Sequence, residues 1–142
     1  LIVEDNEDDA FLMERALKEA AIANPIRIVE DGQEAIDYLS GAGKYQDRTQ
    51  YPTPAVMFLD LKLPLKSGHE VLQWIRTQKE FETMIVVVLT SSNQPADVKK
   101  SYELGANSYI VKPPAAENLL ELAKSFKWYW LKFNKFDENP AA

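Results

Sequence analysis

Val56-Met57-Phe58-Leu59-Asp60 is the stretch on which the fold turns. Four consecutive apolar residues make a strand-sized run with no polar alternation, so the strand must be covered on both faces, as inside a parallel sheet. The run stops on a carboxylate. Working outward, Leu1 to Val3, Ile26 to Val29, Ile85 to Leu89 and Tyr109 to Val111 are short runs of the same kind, rich in β-branched residues. Segments with helical spacing lie between them, marked by Ala10, Met13 and Leu17, by Ala35, Ile36 and Leu39, by Val71, Leu72 and Ile75, and by Val98, Tyr102 and Leu104. A last one starts near Ala115. Five such β-α units predict an α/β fold, a doubly wound five-stranded parallel sheet with helices on both faces. Asn24-Pro25 is expected to close the first helix, Gly105 the fourth, and Pro113-Pro114 to form the first turn of the fifth. Gly41 to Pro54 reads as a long connection after the second helix.

Composition narrows the chemistry. The 142 residues suffice for one hydrophobic core, with 1–133 expected to form one domain and 134–142 a polar tail. The first residue already lies in a strand pattern, so a few native residues are expected before Leu1. A net charge of −6 without any basic run argues against direct binding of nucleic acid or an anionic membrane. With no cysteine and a single histidine, His69, a metal here has to be held by oxygen. No apolar stretch approaches the length of a membrane span and no secretory signal is visible, which points to the cytoplasm.

Ligands of open parallel sheets bind beyond the carboxyl ends of the strands, so the residues that end strands are expected to converge. Strand one ends in Glu4-Asp5, strand three in Asp60, strand four in Thr90 and strand five in Lys112. Three carboxylates on one rim raise one another's pKa unless a cation sits among them. Mg²⁺ suits such a set, with Asp5, Asp60 and one backbone carbonyl as protein ligands and Glu4 acting through a bound water. Mn²⁺ is the natural substitute.

These residues form an ordered set: Val3-Glu4-Asp5-Asn6, Leu59-Asp60-Leu61-Lys62-Leu63-Pro64 with Gly68 following, Leu89-Thr90-Ser91, and Tyr109-Ile110-Val111-Lys112-Pro113. The set resembles the receiver domains of two-component response regulators, over essentially the whole chain. The resemblance implies a flavodoxin-like receiver fold and a phosphoacceptor, rather than an enzyme with a separate substrate, that assists its own Mg²⁺-dependent phosphorylation and dephosphorylation. Asp60 would accept the phosphoryl group from a sensor histidine kinase, and Lys62 would give its backbone carbonyl to the metal. Thr90 and Lys112 would stabilise the phosphoryl oxygens. Thr90 and Tyr109 would then switch the surface of helix four, strand five and helix five for partner binding or phosphorelay. Lys62 and Ser92 occupy positions that tune phosphoryl lifetime, and a cis bond is expected at Lys112-Pro113. Glu4 in place of an aspartate keeps the charge, whereas Pro114 stands where an apolar residue is usual.

Taken singly, these residues have plainer readings: carboxylates as solvated loop residues, Lys112 as a surface lysine, Thr90 as a helix cap, Tyr109 as packing. Their joint occurrence on one rim favours the site. His69 is expected to be a solvated helix residue, and Glu7-Asp8-Asp9 a first turn favoured by the helix dipole. The last helix carries Phe126, Trp128, Tyr129, Trp130, Phe133 and Phe136, more aromatic surface than one buried stripe holds. Trp128, Trp130 and Phe133 are therefore candidates for a partner or homodimer surface. With the Gly41 to Pro54 insertion, this helix resembles the single-domain regulators that partner phytochrome-type kinases. Two other readings compete. One is a receiver-fold module acting through constitutive dimerisation, against which the intact acidic pocket speaks. The other is a flavodoxin-like electron carrier or a phosphatase, disfavoured by the absence of a Ser/Thr/Gly-rich loop after strand one and by Lys62 where a second aspartate would stand.

Overall fold

Runs that are apolar at every position need cover on two sides, and the chain supplies it by placing alternate strand residues against different helices. A computed structural model describes residues 1–137. The strands are β1 (Ile2–Val3), β2 (Ile28–Val29), β3 (Val56–Leu59), β4 (Ile85–Thr90) and β5 (Ser108–Val111). All pair in parallel, in the order β2-β1-β3-β4-β5. The helices are α1 (Glu7–Glu19), α2 (Gly32–Ser40), α3 (Gly68–Thr77), α4 (Pro95–Glu103) and α5 (Ala116–Phe126).

Because side chains alternate along a strand, the two cores are read directly from residue parity. Ile2, Val56, Phe58, Val87 and Leu89 pack on Met13, Ala16 and Leu17 of α1 and on Ala123 and Phe126 of α5. Val3, Val29, Met57, Leu59, Val86 and Val88 pack on Ala35 and Leu39 of α2 and on Val71, Leu72 and Ile75 of α3. The doubly wound architecture expected from the sequence is thus observed. Capping explains where helices begin: Asn6 accepts from the Asp9 amide at 2.9 Å, Asp31 from Glu34 at 2.6 Å, and Ser67 and Glu70 form a reciprocal capping box. Among the residues of α4 only Ser101 is buried, so this helix is the one least held by apolar packing.

Several local expectations are corrected. α1 ends at Glu19, well before Asn24-Pro25. Pro113-Pro114 precede α5 and do not open it: Pro114 disfavours a helical Pro113, and Ala115 after them is extended (φ −105°, ψ 138°) as the residue from which the helix starts. No peptide bond among the described residues is cis, so Lys112-Pro113 is trans. Trans is the intrinsically favoured isomer. The 41–54 connection is packed: Tyr45 is buried against Tyr38 and Tyr51, and Arg48 donates to the Tyr38 and Leu39 carbonyls. After Phe126 the chain continues as a π-helical segment, Lys127–Phe133, whose wider turn shifts which aromatics face inward. Residues 138–142 of the expected polar tail lie outside the described residues. None of the described helices is long and apolar enough to cross a membrane.

Candidate functional site

Backbone pairing carries the sheet one residue past its strands and so fixes the rim. The Glu4 amide donates to the Val29 carbonyl at 3.0 Å, Asp60 to Val3 at 3.1 Å and Lys112 to Thr90 at 2.8 Å. Because Val3 is in register with Leu59, the next residues on each strand, Glu4 and Asp60, fall side by side. This is also where strand order reverses, between β1 and β3, the usual place for a ligand in such sheets.

Glu4, Asp5 and Asp60 each present an oxygen within 4.8 Å of the others. Glu4 and Asp60 are buried, at 5% and 7% exposure, while Asp5 faces solvent. Lys112 Nζ lies 2.6 Å from Glu4 Oε2 and 3.0 Å from Asp60 Oδ2, and a third carboxylate, Asp9 Oδ2, lies 3.0 Å away. Asp60 Oδ1 accepts from the Leu61 amide at 2.7 Å, and Thr90, fully buried, ends the neighbouring strand beside it.

The charges follow from these partners. Burial pushes Glu4 up to about 7, against the pull of its Lys112 and Asn6 hydrogen bonds. Burial acts on Asp60 in the same direction, yet the Lys112 ammonium and the Thr90 hydroxyl outweigh it and hold Asp60 below the usual aspartate value. Burial also works against charge on Lys112, but its bonds to Glu4, Asp60 and Asp9 prevail and raise its pKa. An all-oxygen donor set in which a buried carboxyl resists ionisation next to an ionised neighbour fits a hard divalent cation.

The structure brings Glu4, Asp5, Asp60, Thr90 and Lys112 together as the sequence led one to expect. Lys62 is exposed on the loop after Asp60, and Ser92 is half-buried on the loop after β4. Tyr109 is half-buried against the α2/α3 core, and its hydroxyl donates to the Ser92 carbonyl at 2.8 Å. Gly68 has a steric reason: a Cβ there would stand 2.2 Å from the Asp60 carbonyl oxygen. His69 is not simply solvated, for it is half-buried and its Nε2 lies 2.9 Å from Ser101 Oγ. Sequence reasoning missed Asp9 as a Lys112 partner. Its position in the first turn of a helix whose cap adjoins the rim was the available signal. The aromatic candidates divide: Trp128 and Phe133 are exposed and stacked, with ring centroids 5.9 Å apart, and Lys132 Nζ lies 3.9 Å over Trp128. Trp130 instead is half-buried against the α1/α5 core.

Comparison with known proteins agrees with this geometry. Residues 1–124 match the family model of the response regulator receiver domain. The chain is 36% identical over 138 residues to the probable methanogenesis regulatory protein FilR2 of Methanothrix harundinacea, covering 95% of this chain and 84% of the relative. It is 36% identical over 132 residues to the response regulator Rcp1 of Synechocystis, covering 93% and 88%. Among solved structures, the phosphorylated cyanobacterial phytochrome response regulator RcpA superposes with a TM-score of 0.88 at 34% identity, over 96% of each chain. A family match across most of the chain, with the acidic rim and its lysine in place, establishes that the chain belongs to the response regulator receiver domain family of two-component signalling.

Proposed function

We propose that the chain accepts a phosphoryl group on Asp60 from the phosphohistidine of a sensor histidine kinase, in the cytoplasm and with Mg²⁺ bound. The observation that carries this reading is that Asp60, buried at a strand end, has the Lys112 ammonium 3.0 Å from its carboxylate, a partner that favours the ionised form a carboxylate nucleophile requires. An Asp60 oxygen attacks phosphorus, the P–N bond to the kinase imidazole breaks with its electron pair returning to nitrogen, and an acyl phosphate forms. Lys112 and Thr90 meet the transferred oxygens. Asp5, Asp60 and the Lys62 carbonyl would hold the metal, with Glu4 acting through a water. When bound, the metal supplies charge neutralisation at the phosphoryl oxygens. Mn²⁺ is a reasonable substitute, since the related Rcp1 has a solved Mn²⁺-bound form.

Lys62 and Ser92 flank the phosphoryl group and set its lifetime, and Thr90 and Tyr109 carry the change to the α4–β5–α5 surface. The likeness to RcpA and Rcp1 supports a phytochrome-type kinase as the donor. The exposed Trp128 and Phe133 support a homodimer. Incubation with Mg²⁺ and acetyl phosphate, or with candidate kinases, followed by intact-mass measurement tests the acceptor. One phosphoryl increment is expected, absent in Asp60→Ala. An unmodified chain under conditions that label a control receiver overturns the reading.

A further inference from the structure

Ser92 sits two residues past Thr90, and all of its polar groups are engaged. Its amide points at Thr90 Oγ1 at 3.5 Å, and its carbonyl accepts from the Tyr109 hydroxyl at 2.8 Å. Its hydroxyl donates in a short bond to Asp97 Oδ2 and lies 3.4 Å from the Gln94 amide. The first two groups belong to the two residues of the expected switch. The third ties the loop to the first turn of α4, and Asp97 is its side-chain anchor there. Asp97 is held in turn, for its carbonyl accepts from Ser101 Oγ at 2.8 Å, and Ser101 is fully buried. Ser101 has one hydroxyl proton and gives it to Asp97, so the 2.9 Å contact with His69 has to be a donation from His69 Nε2–H. A continuous path therefore runs from α3 through α4 to the loop that carries Thr90.

We infer that Asp97 is a positioning residue for phosphorylation of Asp60. By fixing Ser92 it holds the loop so that Thr90 faces the Asp60 carboxylate and Tyr109 is seated, before any phosphoryl group arrives. With the Ser92 amide on Thr90 Oγ1 and Thr90 ending the strand next to that of Asp60, the hydroxyl is then placed in advance near where charge develops, and less reorganisation is left for the reaction step. Nothing else on α4 could do this as well, because Ser101 is the helix's only buried residue and apolar packing fixes its register weakly. The inference rests on Asp60 being the acceptor.

The full chain is tested with Mg²⁺ and acetyl phosphate, comparing Asp97→Ala, Asp97→Asn, Tyr109→Phe and the double variant Asp97→Ala/Tyr109→Phe. Loss of one charge-assisted hydrogen bond that orients the loop corresponds to phosphorylation slower by about tenfold in Asp97→Ala. Asp97→Asn keeps an acceptor for Ser92 and is expected within about twofold of wild type. Tyr109→Phe and Asp97→Ala act on the same Ser92, so the double variant falls short of the product of the single effects. A second readout is independent of the reaction: in the unphosphorylated protein the Ser92 amide NMR signal shifts in Asp97→Ala and not in Asp97→Asn. A wild-type rate in a folded Asp97→Ala, or equal losses in the Ala and Asn variants, overturns the positioning role while leaving Asp60 intact. Failure of the wild-type chain to be labelled defeats the acceptor reading instead.

Discussion

Replacing Lys112 by methionine keeps much of the side-chain volume and removes the ammonium that lies 2.6 Å from Glu4 and 3.0 Å from Asp9 and Asp60. Removing one partner of a buried ion pair costs about 3–5 kcal/mol. Two features lower that figure: Asp9 is partly exposed to water, and Glu4, already pushed up to about 7, takes up a proton and sheds its charge. A loss of about 2–3 kcal/mol is expected without divalent cation, or roughly 8 °C in Tm for a chain of this size. Mg²⁺ should recover most of it, because a cation among Glu4, Asp5 and Asp60 replaces the neutralisation that Lys112 gave. The same change removes a positive charge from beside the metal position, where two unit charges 4 Å apart interact by about 4 kcal/mol at an effective dielectric of 20. Even a third of that strengthens Mg²⁺ binding by about tenfold. Phosphorylation should move the opposite way, slowing by about 10²–10³ as the phosphoryl oxygens lose their fixed cation. Melting curves with and without chelator, calorimetric Mg²⁺ titration and acetyl phosphate labelling measure the three effects. Weaker Mg²⁺ binding in Lys112→Met, or a Tm deficit that Mg²⁺ leaves unchanged, would refute the role of Lys112 as counter-cation.

Gly68→Ala places a Cβ 2.2 Å from the Asp60 carbonyl oxygen and 2.7 Å from Leu61 Cα, so backbone has to move; urea titration should show about 1–3 kcal/mol of lost stability, with slower labelling of Asp60. Burial, aided by the Lys100 ammonium, holds His69 below its ordinary value of 6.5. Below that pH the unfolded chain binds the extra proton first, so the contribution of His69 to stability is complete above 6.5 and is lost as pH falls through the folded value. Subtracting the pH–stability curve of His69→Gln, which keeps a donor for Ser101, should isolate this slope, and identical curves would contradict it. Trp128→Ser/Phe133→Ser should shift a sedimenting dimer toward monomer with Tm nearly unchanged, whereas Trp130→Ala, acting on the protein's own core, should cost about 2 kcal/mol and leave association alone.

Legibility followed the range of the interaction. β3 was readable to the residue, because a strand covered on both faces is apolar at every position and Val56 to Leu59 meets no exception. β2 was expected from Ile26 and begins only at Ile28, since an edge strand is as long as its pairing with the two-residue β1 allows. The rim was legible because strand ends share one edge of a parallel sheet whatever fills the loops. Asp9, and the path from His69 through Ser101 and Asp97 to Ser92, were not. These are contacts made by side chains of separate elements, 32 positions apart for His69 and Ser101 and 103 for Asp9 and Lys112. No periodicity in the sequence encodes them. Pro113-Pro114 mark the approach to α5 and not its first turn, because Pro114 disfavours a helical Pro113 and the chain stays extended through Ala115.

The two faces of the sheet differ in how firmly they hold their helices, and that difference bears on where a signal would emerge. α1 and α5 share a core with Ile2, Phe58, Val87 and Leu89, and α2 and α3 one with Val3, Leu59 and Val88, so moving any of these helices opens a cavity. α4 buries one serine and is tied to the rim by hydrogen bonds of Ser92, Asp97 and Ser101. Exchanging one set of hydrogen bonds for another costs far less than exposing apolar surface, because water and protein groups compete on nearly equal terms for polar partners. On the proposed reading, a new charge at Asp60 would act first on Lys112 and Thr90, and through Ser92 on α4. On that reading the strain would leave the site along the polar path, and α4, which buries only Ser101, is the described helix that such a charge would move at least cost in apolar packing.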